Sequence, residues 1–103
     1  MSEEKVVEII WNGRPAKVYV GKFTFGDVAD INDNVIEVSA NGKVKILPGK
    51  LKLWLVYKGV KKIEVDGKTV KWTLKDVENL DVDESMKILE VVTELNNVDE
   101  LFR

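Results

Sequence analysis

Asn12-Gly13 stands between two extended stretches, Val6–Trp11 and Ala16–Val20, and no other feature limits the fold so strongly. A type I′ turn needs positive φ at both central residues. Asn-Gly meets that demand at small steric cost, with a twist that matches the flanking strands. The chain therefore begins with an antiparallel hairpin carrying Val18 and Val20 on one face. Pro15 has no amide hydrogen and belongs at the start of the second strand or on an edge. After Gly21, the run Phe23-Thr24-Phe25-Gly26-Asp27 leads into a helix. Thr24 is placed as its N-cap, and Asp27 three residues on lies near the positive end of the helix dipole.

Val28, Ile31, Val35 and Val38 follow at spacings of three, four and three, one helical stripe, with Asp27, Asp30, Asp33 and Asn34 largely opposite. This predicts a helix that stops at Asn41-Gly42. A rival reading makes Val35–Ser39 and Lys43–Leu47 a second hairpin about the same dipeptide. Lys50–Val60 is also two-sided. Leu51, Leu53, Leu55 and Tyr57 alternate like a strand, whereas Leu53, Val56, Tyr57 and Val60 make the i, i+3, i+4, i+7 set of a helix. Pro48 and Gly59 at its ends favour the helix.

Ile63–Val65, Asp66-Gly67 and Thr69–Trp72 read as a central hairpin, and Thr73 with Asp76 repeats the capping pattern for a short helix ending near Leu80. Asp83 is placed to cap a longer helix from Glu84 to about Asn96. Its stripe is Ile88, Val91, Val92 and Leu95, widened by Met86 and Leu89. Asn96-Asn97 breaks it and leaves Val98, Leu101 and Phe102. The whole chain, 1–103, is thus expected to be one α+β domain. A short antiparallel sheet from the N-terminal and central hairpins would pack with about four helices. The alternative is a β-meander with C-terminal helices, turning at Asn41-Gly42, Pro48-Gly49 and Asp66-Gly67.

At 45% hydrophobic and 33% charged residues, 103 residues suffice for one core and are too apolar for a disordered chain. The absence of His, Cys and Gln excludes thiolate zinc sites, thiol nucleophiles and a Ser-His-Asp triad around Ser39 or Ser85. Asp30, Asn32 and Asn34 match the first ligand positions of a calcium loop. The pattern then fails, with Val35 where glycine is required and Asn41 where a bidentate glutamate is required. Glycine-rich phosphate cradles are missing, and no two carboxylates are forced into one cleft. The expectation is a non-enzymatic protein without metal or cofactor. Two glutamates in Met1–Lys5 speak against a secretory signal. The longest apolar run, Leu53–Tyr57, falls far short of the roughly 20 residues a membrane helix requires. A cytoplasmic location is expected.

Charge is unevenly spread: 43–72 carries nine lysines against Glu64 and Asp66, whereas 73–103 carries nine acidic residues against three basic ones. The two sections can face each other or present opposite poles to partners and to further copies of the chain. Lysines interleaved with Trp54, Tyr57 and Trp72 offer an alternative function, a small nucleic-acid-binding module using 43–72. The chain's overall acidity, and its having only Arg14 and Arg103 as arginines, weigh against it.

The order of strand, Asn-Gly turn, strand and Phe-Thr-Phe-Gly-Asp helix entry resembles the N-terminal part of small tail assembly chaperones of long-tailed phages and proviruses. Lys50–Gly59 is similar to that family's middle apolar helix, Thr73-Leu74-Lys75-Asp76-Val77 to a helix start, and Leu80–Asn96 to its C-terminal helix ending in Glu-Leu-Asn. The Ile63–Trp72 hairpin is an addition to that pattern. The resemblance implies a chaperone or adaptor that binds a helical tape-measure protein and recruits tail-tube subunits, in the host cytoplasm. Candidate partner-binding residues are Trp54, Tyr57, Val98, Leu101 and Phe102, the last three for an apolar cluster at helical spacing. A homo-oligomer is also compatible. Abundant Lys and Glu without Gln, Cys or His suit a thermophilic host.

Overall fold

A computed structural model describes residues 4–98 and shows the expected α+β fold. Strands β1 (Glu4–Trp11) and β2 (Arg14–Gly21) form the first hairpin, with Asn12 and Gly13 at φ 52° and 77°. Helix α1 (Phe25–Val35) leads to the strands β3 (Ile36–Val38) and β4 (Val44–Ile46), followed by helix α2 (Pro48–Gly59). Strands β5 (Val60–Val65) and β6 (Lys68–Val70) make the central hairpin, turned by Asp66-Gly67. Helices α3 (Leu74–Glu78) and α4 (Val82–Asn96) complete the order. The main sheet runs β1-β2-β5-β6, antiparallel throughout, and β3 and β4 form a separate two-stranded ribbon.

Cross-strand register explains why the helices lie on one face. Val7 opposes Val18, Ile9 opposes Ala16, Val18 opposes Ile63 and Ile63 opposes Val70, so these side chains share a face. Glu8, Lys17 and Glu64 are likewise aligned on the other face. Val18, Val20, Ile31, Val35, Ile63, Ile88 and Val92 retain no accessible surface. Helices α2 and α4 pack side by side over the sheet, α4 reaching β1 and β2. Asn96 ties the end of α4 to the first hairpin: its Oδ1 accepts from the Phe23 amide at 2.7 Å and its Nδ2 donates to the Gly21 carbonyl.

Both Thr-x-x-Asp sequences form capping boxes, Thr24 with Asp27 and Thr73 with Asp76. Asp27 also accepts from Lys61 Nζ at 2.8 Å. Burial pulls its carboxyl pKa upward, but the Lys61 ammonium and the Thr24 amide outweigh this and hold it below the ordinary 3.8. A depressed folded-state pKa stabilises the fold fully above 3.8, and that stabilisation is lost as pH falls through the lower folded value. Asp27→Asn removes this charge from the first turn of α1 and is expected to cost about 0.5–1 kcal/mol at pH 7. Thermal melts across pH should show the gap to the unmodified protein closing once Asp27 is protonated.

Two sequence expectations are corrected. Helix α1 stops at Val35, and Ile36 is extended at φ −103°, ψ 133°, so the rival hairpin at Val35–Leu47 is the one formed. The Leu47 amide donates to the Val35 carbonyl at 2.8 Å and clamps the ribbon where the helix ends. Asn41-Gly42 lies in the ribbon's turn, with Gly42 at φ 82°. Val38 is 64% exposed and does not extend the helical stripe. Helix α4 begins at Val82 with Asp81 as N-cap, two residues before the expected cap Asp83, which lies in the first turn.

Candidate protein-binding groove

Helices α2 and α4 pass close together at Gly59, where a Cβ would stand 2.6 Å from Val92 Cγ2. Toward the N-terminal end of both helices the contact opens, and α3, which packs on α2, lines the gap. The result is a groove of about 290 Å³ whose apolar wall is Leu53 and Val56 from α2, Val77 from α3, Leu80, and Val82, Met86 and Leu89 from α4. Val82, Met86 and Leu89 recur at i, i+4 and i+7, a straight stripe along one side of α4. It is distinct from the buried stripe of Ile88, Val92 and Leu95. Val82 is 74% and Met86 49% exposed. Lys52 and Glu78 stand at the rim. A groove between neighbouring helices, apolar on its floor and charged on its rim, suits an amphipathic helix laid along it.

The described residues among those singled out from sequence, Trp54, Tyr57 and Val98, do not line this groove. Trp54 and Tyr57 meet edge to face with ring centroids 5.4 Å apart, and both are half-buried against the core. Val98 is half-buried against the same core, and Leu101 and Phe102 lie outside the described residues. Sequence pattern alone attaches Met86 and Leu89 to the core stripe of α4, which conceals the groove. Helical spacing nevertheless holds the signal, since Val82-x₃-Met86-x₂-Leu89 runs beside the Ile88 line.

Three of the nine lysines of the basic section form ion pairs within the described residues. Lys58 pairs with Asp30 at 2.9 Å, which raises its pKa, and Lys61 pairs with Asp27. Lys62 pairs with Glu64 at 3.0 Å and lies 4.4 Å from the Tyr19 ring centroid. That pairing raises the Lys62 pKa and lowers that of Glu64. Trp72 packs edge to face on Trp11 at 6.0 Å. Asp30 and Asn34 are committed to α1, where Asn34 Nδ2 donates to the Asp30 carbonyl. A larger cleft of about 480 Å³ near the first and central hairpin turns mixes Glu8, Glu64 and Asp66 with Lys17 and Lys87. Ile9, Ile10, Pro15 and Ala16 give it an apolar floor as well, and it differs from the groove in its more heavily charged lining. Among the described residues no three His, Cys, Asp or Glu side chains gather as a metal site, and no helix is long and apolar enough to cross a membrane. No family model, curated protein or solved structure matches the chain.

Proposed function

We propose that this chain is a non-enzymatic chaperone or adaptor that holds an amphipathic helix of a protein partner in the α2–α4 groove. The observation that carries this reading is the pair of exposed side chains Val82 and Met86, continued by half-buried Leu89, lining one groove with Leu53 of α2. Apolar surface of this kind lowers the free energy of the pair when a partner covers it, and Val82 and Met86 leave much of theirs in water in the isolated chain. The order of elements shared with tail assembly chaperones supplies the setting. The client is a tape-measure-type helical protein, and tail-tube subunits are the second partner recruited during phage-like tail assembly.

Coexpression with an aggregation-prone, tape-measure-type helical polypeptide tests the reading. The unmodified protein is expected to keep the polypeptide in the supernatant as a complex. Val82→Glu with Met86→Glu places two carboxylates in the groove at sites exposed enough to leave the fold intact. It is expected to weaken the complex by about tenfold or more, since an unpaired charge in an apolar contact costs at least ~1–2 kcal/mol. Equal recovery with both proteins contradicts the proposal.

A further inference from the structure

Met86 is one of two methionines in the chain, and the other, Met1, lies outside the described residues. It stands in the middle of the α4 stripe, between Val82 and Leu89, and lines both the groove and the adjoining hollow along α4 that takes in Lys87 and Glu90. At 49% exposure it belongs neither to the buried core nor to the half-buried side chains packed against that core. A thioether left open to solvent is a ready site of oxidation. Among the described residues no other side chain competes for the oxidant: the chain has no cysteine, and Trp11, Trp54 and Trp72 are half-buried against the core.

We propose that Met86 is an oxidation site that controls the groove, the thioether form holding a client helix and the sulfoxide form releasing it. The oxidant is a peroxide. With hydrogen peroxide, the sulfur lone pair attacks one oxygen, and the S–O bond forms as the O–O bond breaks. The departing hydroxide takes the proton of the transferred oxygen and leaves as water, so sulfur loses two electrons and the peroxide gains them. The product puts a strong hydrogen-bond acceptor where the thioether offered a flexible apolar contact. In the free protein, water satisfies that oxygen. A helix laid over it excludes the water and, being apolar on that face, offers no donor in return, so the complex loses affinity while the fold is untouched. Reductases specific for each sulfoxide epimer return the thioether, which makes the change reversible. The inference rests on the proposed groove and adds its regulation.

The test treats the purified protein with hydrogen peroxide, removes the peroxide, and titrates the product with a synthetic amphipathic helix free of methionine, cysteine and tryptophan. Peptide mapping is expected to find one added oxygen on Met86, gained about as fast as in the denatured chain. The dissociation constant is expected to rise roughly five- to tenfold, the effect of an unpaired polar group at an apolar contact. Circular dichroism and the melting temperature should stay nearly unchanged, and reductase treatment should restore the original affinity. Met86→Leu removes the sulfur, so its own affinity should be the same before and after peroxide. Met86→Gln, polar without oxidation, should bind more weakly than the unmodified protein. Oxidation of Met86 many times slower than in the denatured chain, a large fall in melting temperature on oxidation, or an equal loss of affinity in Met86→Leu overturns the inference. An unoxidised protein that binds no helix overturns the groove reading and this inference together, whereas binding that survives full oxidation of Met86 overturns this inference alone.

Discussion

Gly59→Ala is expected to lower stability by about 2–3 kcal/mol, the cost of forcing an extra methyl into a packed core. For a domain of this size that corresponds to a fall of roughly 10–20 °C in melting temperature. The added Cβ would lie 2.6 and 2.8 Å from the two Val92 methyls, and Val92 is wholly buried with no room to withdraw. The effect belongs to the pair. Val92→Ala alone leaves a cavity, whereas Gly59→Ala with Val92→Ala fills part of it, so the double variant should be more stable than the two single costs add up to. Gly49 in the same helix supplies the control. A Cβ at Gly49 would meet nothing within 4 Å, and Gly49→Ala should be neutral or stabilising by up to ~1 kcal/mol.

Ile63→Ala is expected to be at least as damaging, about 3–4 kcal/mol by denaturant unfolding. Ile63 has no accessible surface and stands at the middle of the sheet, opposite Val18 on one side and Val70 on the other. The cavity would open between sheet and helices, where neither layer can collapse into it without breaking register. Val38→Ala with Val44→Ala on the ribbon should change stability by less than about 1 kcal/mol, because those side chains are already in water. The contrast separates the core from the surface left for partners.

Much of this architecture is legible in the sequence because local chemistry and tertiary packing agree. Asn12-Gly13 and Asp66-Gly67 take the positive φ values their turns require, and both Thr-x-x-Asp boxes close with the expected bonds. The helix at Pro48–Gly59 is separable from a strand only through its terminal proline and glycine. Gly59 has a further reason to be there, the close passage of Val92, which no pattern within one segment reveals. The Val35–Leu47 stretch misleads because Val35 and Val38 fit a helical stripe while Ile36 and Val38 fit a strand, and a long-range bond from Leu47 to Val35 favours the ribbon. The groove is hidden for a related reason. An apolar side chain on a helix reads as core until its neighbours are known, and the space beside Met86 is lined by residues of α2 and α3 far from it in sequence. Trp54 and Tyr57, chosen for their aromatic character, spend much of their surface on each other and on the core.

The groove is tested most directly by titrating isotope-labelled protein with a synthetic amphipathic helix, apolar on one face, and following backbone and methyl resonances. Saturable shifts are expected at Leu53, Val56, Val82, Met86 and Leu89, abolished by Val82→Glu with Met86→Glu, while Trp54 and the outer face of the sheet stay unmoved. Shifts confined to Trp54 and Tyr57, or equal binding by the variant, would contradict a helix-binding role for the groove.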